Sequence, residues 1–209
     1  SGYGADLVCW SFDAMKMLVC GEGGGVYIQD IDMMHRFKEY TYLGLSPSEK
    51  SGIDKSDNEN RWWEYELSLP GRRSVFTNIN AAIGIPQIEK LRTKISKRNM
   101  FKESYDKVFN KIPSVDLISS NLRTKQLANY FYTIITPKRD DFSLFLKKND
   151  IYSTLRYYPT NLINIFNKYS EPCPNAELFS KQALNLPIHD SLTKEDINKI
   201  IFHINKFFS

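Results

Sequence analysis

Apolar and polar positions change their spacing several times along the chain, and each change marks an expected element. Residues 6–12, "DLVCWSF", are short, apolar and aromatic, and read as a buried strand. Residues 17–20 and 25–29 read as a further pair of strands flanking a glycine turn. "DIDMMHRFKEYTYLG" is helical, because Ile31, Met34, Phe37 and Lys38 fall three or four apart and Gly44 suits a C-terminal stop. Residues 45–61 are polar, with Pro and Gly, and read as a surface loop. "WWEYELSLPGRRSVF" resumes order as a strand, with a turn at Pro70-Gly71.

A long helix is expected from Asn78. Ile79, Ile83, Ile88, Leu91 and Ile95 mark one face, and Pro86 should kink or restart it. The face continues less regularly through Tyr105, Val108 and Phe109 until "IPSVDL" ends the element. Beyond it, "QLANYFYTIITP" and "IYSTLRYYPT" read as strands and "RDDFSLFLKKND" as a short amphipathic helix. "NAELFSKQALN" reads as a helix capped by Asn175. The sharpest helical pattern is the last. Thr193 and Asp196 open it like a capping box, and Ile197, Ile200, Ile201, Ile204 and Phe208 line one face. Strand and helix thus alternate in the C-terminal part, as in a layered α/β or α+β arrangement. The boundary is expected along the long helix, near 90–110, dividing residues 1–90 from 91–209. Internal repeats and low-complexity segments are absent from the sequence.

Composition narrows the classes. The 209 residues are 42% apolar and 25% charged, enough for a real core. The net charge of +4 is scattered over polar faces rather than clustered with aromatics, which argues against a nucleic-acid binder. Cys9, Cys20 and Cys173 lack metal-ligand or redox spacing, and no secretory or membrane-spanning run is seen, so a reduced, cytoplasmic protein is expected. Cys9 and Cys20 read as buried filler. His35, His189 and His203 stand singly, and no metal site is expected.

One stretch carries chemistry. "WSFDAMKMLVCGEGGGVYI", residues 10–28, sets Lys16 in an apolar run and follows it with glycines. A lysine in an apolar pocket resists protonation, and a neutral amine can attack a carbonyl to form a Schiff base. Glycines let backbone pass close to a bulky group, and Ser11 could offer a hydroxyl to a phosphate. That set suits pyridoxal phosphate. The same residues also fit a lysine snorkelling from a strand end beside a plain hairpin turn.

The stretch also resembles the Ser-Phe-x-x-x-Lys…Gly-Glu-Gly-Gly segment of the DegT/StrS family of pyridoxal-phosphate-dependent sugar aminotransferases. "TNINAAIGIPQIEKLRTKISKRNMFKESYDKVF", "YFYTIITPKRDDFSLFLKKNDI" and "CPNAELFSKQALNLPIHDSLTKEDINKIIFHI" resemble later segments of that family in the same order. The resemblance implies fold type I, the aspartate-aminotransferase fold. Residues 1–90 would be the end of the large cofactor-binding domain, and 91–209 the small α+β domain. It implies that Lys16 is the aldimine lysine and proton shuttle and that Ser11 binds the cofactor phosphate. Glutamate or glutamine would be the donor, a nucleotide-linked keto-sugar the acceptor, and a homodimer the assembly. The family's sister dehydratases carry histidine at the lysine position, so Lys16 favours transamination.

Departures accompany the resemblance. Where the family has Gly-Tyr-Asn-Tyr-Arg, with an Asn that reaches the phosphate of the neighbouring subunit, this chain has "GRRSV" and Arg73 at the Asn position. Arginine suits a phosphate, so Arg73 is a further cofactor-binding candidate beside the reading of a surface arginine in a turn. Asn161 stands where a histidine is common. The family's upstream half, with the aspartate for the pyridine nitrogen and the stacking aromatic, has no counterpart in the sequence. The expectation is therefore an inactive portion of a longer enzyme, or alternatively a non-catalytic regulatory or assembly module that keeps the fold.

Overall fold

The computed structural model describes residues 4–45, 67, 69–118 and 128–209, in two compact units, Ser1–Leu91 and Arg92–Ser209. The expected loop at 45–61 lies outside the described residues apart from Leu45. So do residues 62–66 and 68 of the strand expected before the turn at Pro70-Gly71.

The first unit contains an antiparallel hairpin of β1 (Leu7–Ser11) and β2 (Gly24–Ile28), in register from Leu7 opposite Ile28 to Ser11 opposite Gly24. Residues 17–20, expected as a strand, form none. β2 fills the ladder of β1, and the Cys20 N–H closes onto the Phe12 carbonyl at 2.9 Å instead. The helix α1 (Ile31–Thr41) follows as expected, with the Asp30 carboxylate accepting the Met33 N–H at 2.7 Å. It ends in residues of positive φ, Leu43 and Gly44, and the Gly44 N–H reaches back to the Glu39 carbonyl at 2.8 Å. The described part of "WWEYELSLPGRRSVF" contributes one bridge, Arg73 opposite Tyr42.

Burial in this unit departs from expectation. β1 is not a buried strand: Leu7 and Trp10 are 49% and 43% exposed, and Cys9 is exposed too. The face of Ile79, Ile83 and Ile88 is likewise open to solvent. Among the described residues, Cys20 is the one buried apolar side chain of the unit. Apolar spacing predicts which face an element offers, and only packing partners decide whether that face is covered.

The helix α2 (Asn78–Phe109) passes from one unit into the other without restarting at Pro86. A proline removes a single N–H donor, and a helix of 32 residues keeps its other hydrogen bonds around that loss.

The second unit holds the core. β3 (Asp116–Leu117), β4 (Tyr132–Ile135) and β5 (Ala183–Leu186) form an antiparallel sheet in the order β3-β4-β5. The later turns of α2 bury Phe101, Tyr105 and Phe109 in it, and α3 (Arg139–Lys148) adds Phe142 and Leu146. α4 (Pro174–Gln182) begins at Pro174 rather than after an Asn175 cap, because proline starts a helix readily and the Glu177 carboxylate reaches back to the Cys173 N–H at 3.1 Å. "ALN" leaves the expected helix and becomes β5, whose four residues are all buried, so no alternation marks it. "IYSTLRYYPT" yields one bridge, Thr154 opposite Asn185, instead of a strand. The Asn185 side chain takes the Arg156 N–H at 2.9 Å and donates to Thr133 Oγ1 at 2.7 Å, which ends the ladder there.

α5 (Lys194–Phe208) matches its pattern closely. Ile197, Ile200 and Ile204 are buried, and Thr193 with Asp196 completes the capping box. Thr193→Ala is expected to cost about 1 kcal/mol in denaturant unfolding, with Thr193→Ser close to the native chain.

Beneath the turn before α5, Asp190 meets Arg98 at 3.3 Å and Lys94 at 3.7 Å. Desolvation works against its charge, yet a backbone N–H and these two cations prevail and hold its carboxyl below the ordinary value. A carboxylate lowered in the folded state stabilises the fold above its unfolded pKa, and that support drains away as pH falls through the lowered value. Acid unfolding of the native chain should therefore steepen below about pH 4, and Asp190→Asn should flatten that limb while lowering stability at neutral pH.

Candidate cofactor-lysine site

The residues 12–23 form a closed loop between the two strands of the hairpin. The Phe12 N–H bonds the Gly23 carbonyl at 2.9 Å, and the Cys20 N–H bonds the Phe12 carbonyl, so the base is pinned from both sides. Inside the loop the Asp13 N–H reaches Ser11 Oγ at 3.4 Å, the Asp13 carboxylate accepts the Met15 N–H at 2.9 Å, and the Asp13 carbonyl accepts the Lys16 N–H at 2.9 Å. Asp13 therefore joins the two candidates. Ser11 ends β1 with an exposed side chain, and Lys16 closes the turn half-buried.

The glycines after the lysine serve close approaches within the chain. A Cβ on Gly24 would stand 2.5 Å from the Trp10 carbonyl oxygen. Gly23, at φ +126°, would set its Cβ 2.5 Å from the Phe76 ring, which meets Phe12 edge-on at a centroid distance of 5.9 Å.

Arg73 is held elsewhere in the same unit. The Arg72 N–H bonds the Tyr40 carbonyl at 2.6 Å and the Ser74 N–H the Thr41 carbonyl at 2.9 Å, which fixes this segment along the end of α1. The Arg73 side chain is exposed, with its guanidinium 6.0 Å from the centre of the Tyr42 ring. Ser11 at the end of β1 and Lys16 in the adjoining loop are thus joined through Asp13, and Arg73 belongs to a separate anchor. In the second unit, Asn161 donates to the Glu177 carboxylate at 2.7 Å. His203 packs between Phe145 and Phe202, and no group of metal-ligating side chains occurs among the described residues. No helix among them is long and apolar enough to cross a membrane.

Sequence reasoning missed Asn80. Its side-chain amide donates to the Cys20 carbonyl at 2.7 Å and to the Glu22 carbonyl at 3.1 Å, bridging the far end of the lysine loop. The signal was present in Thr77-x-x-Asn80, a capping-box spacing in which the shorter Asn takes the place of the usual Glu or Gln.

Comparison with known proteins places the chain in a family. The family model for the DegT/DnrJ/EryC1/StrS aminotransferases matches residues 1–205. A dTDP-4-dehydro-2,3,6-trideoxy-D-glucose 4-aminotransferase of Saccharopolyspora spinosa is 33% identical over 205 residues, covering 96% of this chain and 52% of that protein. A dTDP-4-amino-4,6-dideoxy-D-glucose transaminase of Escherichia coli is 28% identical, covering 86% and 53%. The aminotransferase TlmJ from Streptoalloteichus hindustanus has a TM-score of 0.82 at 28% identity, over 96% of this chain and 51% of its own. A Streptococcus pneumoniae protein described as a sugar aminotransferase, solved in its PLP and PMP forms, shares the fold at TM-scores of 0.81 and 0.83. The chain spans about half the length of the curated relatives it matches. The fold is correspondingly part of a fold type I aminotransferase. The chain belongs to the DegT/DnrJ/EryC1/StrS aminotransferase family.

Proposed function

We propose that these residues carry the lysine and part of the phosphate grip of a pyridoxal-phosphate-dependent sugar aminotransferase. The observation that supports this most is the closed loop that places Lys16 and Ser11 on either side of Asp13. The donor set suits the cofactor: an amine for its aldehyde, a hydroxyl for its phosphate, and an exposed guanidinium for a phosphate or an acidic substrate group. In this reading residues 1–90 end the cofactor-binding domain and 91–209 are the small domain.

When bound, pyridoxal phosphate supplies an electron sink for the carbon that loses its proton. Lys16 Nζ would hold it covalently, with the aldehyde oxygen leaving as water, and once displaced would move a proton at the substrate carbon. Ser11 Oγ would donate to the phosphate, and Arg73 would add a charge-assisted contact. The reaction class is transfer of an amino group from glutamate or glutamine to a keto-sugar nucleotide, with a homodimer as the working assembly. The donor amine becomes a ketone as the acceptor ketone becomes an amine, so the exchange balances without any net oxidant. The chain spans about half of its relatives, so turnover is proposed for the protein to which these residues belong, and binding for the 209-residue chain.

The test uses the chain as it stands. Pyridoxal phosphate is added, the mixture is reduced with borohydride, and the pyridoxyl group is located by peptide mass. Preferential labelling of Lys16 is the expected result. Label spread evenly over the exposed lysines would sink the assignment.

A further inference from the structure

We propose that Asn80 is a positioning residue for Lys16, acting as a latch that holds the lysine loop in one conformation; this rests on the reading of Lys16 given above. The amide of Asn80 is fully engaged. Its two N–H donors go to the carbonyls of Cys20 and Glu22, and its Oδ1 accepts the Thr77 hydroxyl. Thr77 in turn accepts the Asn80 backbone N–H at 3.2 Å, so the side chain is oriented from the helix start. Such an amide has one orientation that satisfies all its partners, and it ties loop to helix by groups 58 and 60 residues apart in sequence.

Two packing contacts press on the same place. Gly84, one turn further along α2, lies so near Cys20 that a Cβ there would come 2.6 Å from the sulfur. Phe76, just before the helix, covers Gly23 at the other end of the bridged carbonyls. The loop from Phe12 to Gly23 therefore has its base closed by backbone hydrogen bonds and its C-terminal limb clasped by α2. The turn that carries Lys16 lies between these two anchors. Fixing the limb limits the volume that Nζ can sweep, and a covalent link to a bound aldehyde needs that amine in one place.

Asn80→Asp separates the latch from simple packing, because it keeps the shape, loses both donors and sets a carboxylate against two carbonyl oxygens. Native chain and variant are compared by hydrogen exchange of residues 12–23, and by the pH profile of borohydride-trapped pyridoxal phosphate at Lys16 relative to the other lysines. The expected result is exchange in this loop about tenfold faster, trapping at Lys16 several-fold lower with a displaced pH profile, and label on the other lysines unchanged. Should the aspartate unfold the chain, Asn80→Ser, which stays compatible with a helix start but cannot span to the carbonyls, is read the same way. Equal trapping and equal pH profile in native and variant chains overturn the latch while leaving Lys16 its role. Absence of preferential trapping at Lys16 in the native chain overturns the cofactor reading, and the latch with it.

Discussion

Lys16→Ala is expected to abolish covalent retention of pyridoxal phosphate after reduction, with the rest of the peptide map unchanged. The reason is chemical rather than structural. The side chain lies in a turn whose backbone hydrogen bond, Lys16 N–H to Asp13 carbonyl, survives the substitution, so the loop should keep its form. Lys16→Arg sharpens the result. It preserves a cation of similar length, yet a guanidinium stays protonated and cannot form the link. Both variants should lose the label, together with any visible band of lysine-bound pyridoxal. Ser11→Ala should weaken but not remove it, since one hydrogen bond to a charged phosphate is worth about 1.5–3 kcal/mol, or roughly ten- to hundredfold in affinity. Retention of the label in Lys16→Ala would place the chemistry on another amine.

The second large effect lies in the core of the other unit. Phe142→Ala should cost about 3–5 kcal/mol, a large share of the roughly 5–15 kcal/mol that stabilises an ordinary domain. Phe142 is fully buried on α3, with ring centroids 4.9 Å from both Phe207 and Phe208 at the end of α5. Truncation leaves a cavity between two helices that close around the sheet, and neither can collapse without moving its own buried face. Urea unfolding followed by circular dichroism reads the loss. Phe202→Ala, on the solvent side of α5 and 61% exposed, serves as the comparison and should shift stability by about 0.5 kcal/mol or less. Equal losses in the two variants would contradict this account of the core.

How much of this was legible in the sequence depended on whether the deciding interaction was local. α5 announced itself because its cap, its period and its buried face all lie within one segment. β5 did not, since "ALNL" continues the apolar rhythm of the preceding helix and becomes a strand only through pairing with β4. Residues 17–20 failed in the opposite sense. They look like a strand, but the partner edge was already taken by β2. The exposure of Leu7, Trp10 and Ile79 could not be read at all, because burial belongs to a pair of surfaces and a sequence shows one. In the candidate site, Lys16 and Ser11 were visible as residue types at a spacing. Asn80 was not, because its importance comes from two carbonyls far away in sequence.

The two sheets differ in what their borders offer to other chains. In the sheet of the second unit, β3 is only two residues long, and the far side of β5 is partly occupied by Thr154 and by the side chain of Asn185. Such borders leave little ladder for a foreign strand to extend. The hairpin is another matter. Among the described residues, β1 and β2 pair only with each other, each five residues long with apolar side chains in the open. A two-stranded ribbon of this kind is barely stable by itself and invites strand addition. In concentrated solution, self-association of this chain should begin at the ribbon that also carries the lysine loop, so colloidal behaviour and cofactor retention are expected to change together.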